Sequence, residues 1–366
     1  MKKTLLFLCL CLCLSYSGIA QVLQSENFNG LTIGNVGTDI NGVTAGQAGW
    51  LTFSTNNGPT GTTSNSTNSA NSNFKIVSNG FASSKGLDIE SGNGNYGSRF
   101  MWKNGLDASW VSRTPGNNII EVEYSFFTGP TTSSRTQVGM RIYGIDNSTT
   151  PASTRTLNGF VYTTNTRVLS GVCYLNNSGT PGTFLINLQT GGLILNENTW
   201  YTIGCSYNAT TGETLWKTSP SAATSNLPAA NWIPNLVPNE IDFVSIVVAP
   251  NPTSNPPVPA NTVSSNIIFD DYIARASSTN TLLSLDDNLK LDSFLIYPNP
   301  TSSVLNISNP NSLEIKNISV VDINGRIVKN QSDSLSQINV SDLNAGVYFV
   351  TIEAAEGKTT KKFIKQ

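Results

Sequence analysis

A chain of 366 residues with 38% hydrophobic content is long enough to bury one large core and a smaller second one. Only 12% of its residues are charged and the formal net charge is -2, so no basic stripe is available for nucleic acid. It contains no histidine, which excludes Ser-His and Cys-His nucleophile pairs and His-ligated metals. Carboxylate chemistry and oxygen-ligated calcium stay open.

At the N-terminus, Lys2 and Lys3 precede an apolar run from Leu5 to Leu14, and Gly18-Ile19-Ala20 supplies small residues for cleavage. This predicts a signal peptide over residues 1–20 and an exported chain. Cys9, Cys11 and Cys13 leave with it, so Cys173 and Cys205 enter an oxidising compartment. Alternation turns both inward, either as one disulfide or as two buried thiols. From residue 21 to 278, strand-like runs alternate with Gly, Asn, Ser and Thr clusters, and no 3.6-residue period appears. Twelve runs are predicted: Trp50 to Ser54, Phe74 to Val77, Gly86 to Glu90, Ile119 to Phe127, Gln137 to Ile145, Leu157 to Thr163, Val168 to Leu175, Thr183 to Leu188, Trp200 to Tyr207, Thr214 to Lys217, Ile241 to Val248 and Asn266 to Ala276. Gly58 to Asn73 reads as a mobile loop, Pro250 to Pro259 as a rigid connection, and residues 279–292 as an interdomain linker.

Side-chain parity places the candidate chemistry. Ile120, Val122, Tyr124 and Phe126 form one side of their run, so Glu121 and Glu123 share the other. Val138, Met140 and Ile142 likewise leave Arg141 and Tyr143 opposite. A hairpin closed by residues 128–135 sets Glu123 against Arg141 and Glu121 against Tyr143. Trp102, Trp110 and Trp232, in polar or proline-flanked segments elsewhere, read as platforms for sugar stacking, while the patch itself suits sugar hydroxyls with Tyr143 as a stacking plane. It equally fits a cross-strand charge pair on a solvated sheet. Carboxyls on Glu121 and Glu123 would lie roughly 6 to 7 Å apart, near the inverting-glycosidase range, but no closed cleft is predicted.

Gly49-Trp50, Lys85-Gly86-Leu87, Thr199-Trp200-Tyr201, Asn208 to Gly212 and Ile268 to Ile273, in that order, resemble concanavalin A-like and laminin G-like domains. The resemblance implies a jelly-roll sandwich, a fold that hosts lectins, adhesins and hydrolases alike. Glu240-Ile241-Asp242 followed by Ser245 resembles the E-I-D-x-x-E signature of family 16 glycoside hydrolases. It implies a nucleophile at Glu240 with Asp242 beside it, and a serine where the acid/base belongs. Glu26 and Asn27 with Asp270 and Asp271 resemble a calcium site that pins first strand to last, as in several carbohydrate-binding jelly rolls. Two acidic residues at a sheet edge are the other reading.

Residues 293–366 read as about seven short strands. Tyr297-Pro298-Asn299-Pro300 ends the first. Asn324-Gly325 marks a tight I′ hairpin, and Gly346 to Ile352, carrying Tyr348, turns through Glu356-Gly357 into a Lys-rich last strand. The strings YPNPTSSVLNI, VVDINGRIVKN and LNAGVYFVTI closely resemble the type A C-terminal sorting domain of type IX secretion. This implies an immunoglobulin-like sandwich, export to the surface of a Gram-negative bacterium, and the translocon and its sorting peptidase as partners. The whole chain is thus expected to be all-β: a concanavalin A-like jelly roll, then a small immunoglobulin-like sandwich. The expected function is non-catalytic binding of a glycan or matrix, or adhesion. A glycoside hydrolase or polysaccharide lyase, with Glu121, Glu123 or Glu240 as its carboxylates, and a structural matrix component are the alternatives.

Overall fold

A computed structural model describes residues 20–58, 65–219, 227–283, 294–309, 315–333, 335–354 and 357–366. The chain divides into two compact units, residues 1–280 and 281–366, and each is all-β apart from short helical turns. Residues 1–19 of the predicted signal peptide and most of the predicted linker lie outside the described residues.

The first unit contains, in chain order, β1 (Gln21–Glu26), β2 (Gly34–Asn35), β3 (Trp50–Thr55), β4 (Phe74–Val77), β5 (Gly86–Glu90), β6 (Ser98–Lys103), α1 (Leu106–Val111), β7 (Ile119–Phe127), β8 (Thr136–Asp146), β9 (Ser153–Thr163), β10 (Val168–Asn177), β11 (Thr180–Asn187), β12 (Leu193–Ile194), β13 (Trp200–Asn208), β14 (Thr214–Ser219), β15 (Val237–Val247) and β16 (Asn266–Ser277). All twelve predicted runs are strands. β1, β2, β6, β12 and the single turn-and-a-half of α1 were not foreseen. Two eight-stranded antiparallel sheets form. The first runs β14-β13-β7-β16-β5-β4-β2 with β1 on β16, and the second runs β11-β10-β9-β8-β15-β6-β3 with β12 on β10. This is a jelly-roll sandwich, in which consecutive strands repeatedly change sheet.

That crossing overturns the expected hairpin between Ile119–Phe127 and the strand after it. β7 lies in the first sheet, between β13 and β16, whereas β8 lies in the second, between β9 and β15. Residues 128–135 are a crossover, so Glu123 is not opposite Arg141 and Glu121 is not opposite Tyr143. The parity itself holds: Ile120, Val122, Tyr124, Phe126, Val138, Met140 and Ile142 are all buried in the core.

The core is aromatic. Phe243 packs against Phe28, Trp50, Tyr124, Phe269 and Tyr272 at centroid distances of 5.0 to 6.5 Å, and each such buried ring contributes about 1.5–3 kcal/mol. Two polar ties cross between the sheets. Asn158 on β9 donates to the Ser206 and Leu215 carbonyls at 2.7 and 3.1 Å, and the Trp216 indole donates to the Gly159 carbonyl at 2.7 Å. Cys173 and Cys205 are buried in this core as free thiols. Burial pushes Cys173 up to about 12 and raises Cys205 as well, so neither is a reactive thiolate.

Two loops differ from expectation. Residues 59–64 of the predicted mobile loop lie outside the described residues, but its far end is tied down: Asn68 donates to the Ser91 carbonyl at 2.7 Å, and Asn93 accepts from Ser66 and Thr67. The proline-rich connection is a closed turn, pinned by reciprocal backbone bonds between Asn251 and Val258.

The second unit has a three-stranded sheet of β17 (Leu295–Tyr297), β18 (Val304–Ser308) and β21 (Gln337–Asn339). A four-stranded sheet holds β19 (Ile315–Asp322), β20 (Ile327–Gln331), β22 (Gly346–Ala354) and β23 (Gly357–Lys365) in the order β20-β19-β22-β23. Phe294, Leu305, Ile318, Val320, Val350, Ile352 and Phe363 fill the space between them. Seven strands in two sheets make the immunoglobulin-like sandwich. The Asn324-Gly325 turn is of a different type from that predicted. Only Gly325 has a positive φ, of 78°, and its amide bonds to the Asp322 carbonyl at 2.9 Å. Ile323 and Asn324 are therefore the centre of a type I turn, with Gly325 as the bulge residue that restores the twist. Of the Glu356-Gly357 turn, residue 356 lies outside the described residues, while Ala354 pairs with Gly357 across it.

Candidate functional site

On β15 the residues Ile241, Phe243 and Ser245 face the core, so Glu240, Asp242 and Val244 face out. Register fixes their neighbours. Asp242 stands opposite Trp102 on β6 and Arg141 on β8, and Glu240 stands opposite Tyr143. Arg141, Tyr143 and Trp102, all singled out in the sequence, do come together, but around Glu240 and Asp242 rather than around Glu121 and Glu123. On the same face, Phe53 and Phe100 lie one pleat further along β3 and β6, 6.2 Å apart. Trp102 is set by its backing: a Cβ on Gly42, whose φ is +74°, would lie 2.5 Å from the indole, so only glycine lets that loop approach. The loop is held by Asp39, whose carboxylate accepts the Asn41, Val43 and Thr44 amides at 2.7 to 3.0 Å and is drawn down to about 2 by them.

The electrostatics of this cluster are unbalanced. Asp242 is 6% exposed, and burial, with the Glu240 charge and hydrogen bond added, pushes its carboxyl up to about 8, against the pull of Arg141. Burial also raises Glu240, with a smaller push from Asp107 on α1. Near neutral pH the pair therefore shares one proton. Burial raises Tyr143 too. The Asp242 Oδ1 and the Arg141 Nε are both out of contact with water and have no hydrogen-bond partner, a costly state for a buried acceptor and a buried donor.

The other predicted residues lie elsewhere. Glu121 and Glu123 are buried on β7 and flank Arg275 of β16. The Arg275 Nη2 is 2.5 Å from Glu123, and its Nε is 3.6 Å from Glu121. Arg275 was not foreseen; its position in an apolar terminal strand was the available signal. Trp110, predicted as a sugar platform, is 2% exposed in α1, with the Arg113 guanidinium 4.0 Å from its ring. It anchors the helix and is no platform. Trp200 is half-buried, edge-on to Phe81 and tilted against Phe127, each at 5.5 Å. Ser245 faces the core on the side opposite Glu240 and Asp242, because residues five apart on an unbulged strand point opposite ways.

β1 does pair with β16, placing Glu26 opposite Tyr272, but the four predicted calcium ligands do not converge. The Asp270 carboxylate accepts from the Phe81 and Asp271 amides and from the Ser84 hydroxyl at 2.5 to 2.8 Å. Burial raises it to about 6. Glu26 accepts from the Phe28 amide and the Trp50 indole, Asn27 accepts from the Asn29 amide, and Asp271 is exposed. Among the described residues no three acidic or thiol side chains are gathered to hold a metal ion. These residues therefore do not fit a calcium ion.

In the second unit the predicted motif is a clasp. Asn299 donates to the Lys362 carbonyl at 3.1 Å and accepts the Ile364 amide at 2.9 Å. The Thr301 amide bonds to the Ile364 carbonyl, and the Gln366 amide bonds back to Thr301, both at 2.9 Å. Pro298 and Pro300, which lack N–H donors, frame this contact without competing for acceptors. The Tyr297 carbonyl accepts from Asn306, and Tyr348 stacks on Phe363 at 5.6 Å and donates to the Asn344 carbonyl. Gly346, which starts β22, pairs with Lys365.

Comparison with known proteins places this unit. Residues 295–366 match the family described as secretion system C-terminal sorting domain. The second unit is a sorting domain of type IX secretion, and the protein is exported by that route to the cell surface or beyond. No curated protein matches the chain. Among solved structures it is similar in fold to alginate lyase vAL-1 from Chlorella virus (12% identity, 56% of this chain and 89% of that one, TM-score 0.38). It is also similar to the endo-beta-1,4-glucuronan lyase of the fungus Trichoderma reesei (8%, 63% and 97%, 0.39). A third is the catalytic domain of a glycoside hydrolase family 131 protein from Coprinopsis cinerea (11%, 72% and 97%, 0.40).

Proposed function

We propose that the outer face of the second sheet binds a glycan without cleaving it, and that the exported protein serves in adhesion to a surface or matrix. The observation that supports this reading is the cluster on that face, where Trp102 and Arg141 flank Asp242 and Tyr143 lies opposite Glu240 on neighbouring strands. Guanidinium and carboxyl groups suit sugar hydroxyls, which both donate and accept, while an indole plane suits the apolar face of the ring. Glu240 and Tyr143 add further polar edges. The shared proton on Glu240 and Asp242 is the one feature that favours an enzyme. Against it, glycosidase carboxyls stand about 5–5.5 Å or about 6.5–9.5 Å apart, whereas these two are hydrogen-bonded to each other, and Ser245 cannot replace the missing acid from the core side. A glycan array with the full chain tests the reading. Saturable binding, weakened about tenfold in Arg141→Ala with the melting curve unchanged, is expected. Absence of saturable binding would leave a passive matrix component, and turnover of a bound polysaccharide would replace binding with catalysis.

A further inference from the structure

The sorting unit carries a surface that its own fold does not explain. In the four-stranded sheet, Val320, Val350, Ile352 and Phe363 turn inward and are fully buried, so their strand neighbours turn outward. At one end of that outer face the neighbours are apolar. Val321 lies opposite both Ile327 and Phe349, and Val347 lies opposite Ile364. Ile327 is 64% exposed, Ile364 41%, Val347 39% and Phe349 36%. At the other end the same face is ordinary, with Ser319, Thr351 and Thr360 in register. A solvated sheet face alternates polar residues outward, so a contiguous apolar patch over four strands marks a contact surface. A cation sits in the patch. Lys362 is exposed, lies opposite Phe349, and takes part in neither of the ion pairs described in this unit, Arg326 with Asp322 and Lys329 with Asp342. The opposite edge of β23 is closed by Asn299 and Thr301, which leaves the face, not that edge, available to a partner.

We infer that the outer face formed by Val321, Ile327, Val347, Phe349 and Ile364 is where a protein of the secretion machinery docks. That partner presents an apolar surface with a carboxylate placed to meet Lys362. The occupant follows from charge and composition: an apolar centre with one uncompensated cation fits an apolar surface with one acidic group. Neither a bare carboxylate cluster nor an uncharged sheet would match it.

The test is export of the full-length protein, read as the fraction reaching the outside, for Lys362→Glu and, separately, Phe349→Ser. Leu295→Ser is the control, because Leu295 is 62% exposed and belongs to the other sheet. The two face variants are expected to lower export about tenfold, the loss that follows from one weakened anchor, with purified protein melting as the wild type does. Leu295→Ser is expected to export normally. Normal export of Lys362→Glu and Phe349→Ser overturns the inference, and so does an equal loss in Leu295→Ser with an intact fold. A membrane occupant is separated by vesicles of phosphatidylglycerol. If the purified chain binds them and the two face variants do not, the face belongs to a lipid surface and the protein partner is ruled out.

Discussion

The first unit holds two clusters that look alike in sequence and differ in physics. Glu-x-Glu at 121 and 123 and Glu-x-Asp at 240 and 242 each place two acids on one side of a strand with an arginine on the next strand. In the first cluster Arg275 lies between the acids, 2.5 Å from Glu123 and 3.6 Å from Glu121, so one cation serves both carboxylates. In the second, Arg141 faces only Asp242, and burial raises both acids. A cation shared between two buried acids ties neighbouring strands together, whereas a pair of buried acids with the cation beside only one of them holds on to a proton.

Removing the shared cation is the most severe way to strain this contrast. Arg275→Met leaves two buried carboxylates with no cation, and is expected to destabilise the unit by about 3–5 kcal/mol. Urea unfolding followed by tryptophan fluorescence reads it selectively, since all six tryptophans lie within residues 50–232. A loss below about 1 kcal/mol would mean that the first cluster is no more architectural than a surface pair.

Next in size is the pH response of the second cluster. Asp242 is raised in the folded protein, so the folded state holds its proton longer than the unfolded chain does. The associated stability is complete below about pH 4 and is lost as pH rises through the folded value of about 8. Asp88 and Asp270, raised to about 6 by burial, act in the lower half of that window. Between pH 6 and 8 the fall therefore belongs to Asp242 with Glu240, and it is expected to be of the order of 2 kcal/mol. Asp242→Asn should flatten it, measured as unfolding free energy at half-unit steps of pH. An equal fall in that variant would remove the shared proton from the account.

Smaller again, Arg141→Ala should weaken glycan binding about tenfold, near 1.4 kcal/mol, by isothermal titration with an array-selected glycan, whereas the conservative Glu121→Gln should leave affinity unchanged. The smallest expected effect is that of a chelator: with Asp270 filled by amide and hydroxyl donors, its midpoint shift should be below about 1 °C. A larger rise on adding calcium would point to a metal held at residues other than these.

Much of this was legible in the sequence because a two-residue period is a local property. It placed the twelve runs and the inward faces of β7 and β8. Strand partners are not local. Residues 128–135 have the length of a generous hairpin loop, and nothing in their composition shows that they cross between sheets, so Arg141 and Tyr143 were set against the wrong acids. Trp102, picked as a platform, does lie opposite Asp242, but Ser98–Lys103 was not read as a strand because Gly and Asn clusters flank it. Trp110 was misjudged because a six-residue helix is too short to show a period. The sorting unit was the most legible part, since its motifs are turns and strand ends, where one residue type dictates backbone shape.

The clasp in that unit has a consequence for how the protein is made. Asn299 and Thr301, at its start, find their partners only at Lys362, Ile364 and Gln366. A chain growing from its N-terminus can complete its cargo long before, yet cannot close this sandwich until those residues have left the ribosome. Loss of residues 362–366 would leave Asn299 and Thr301 without these partners, so the unit's first turn and last strand are made or lost together.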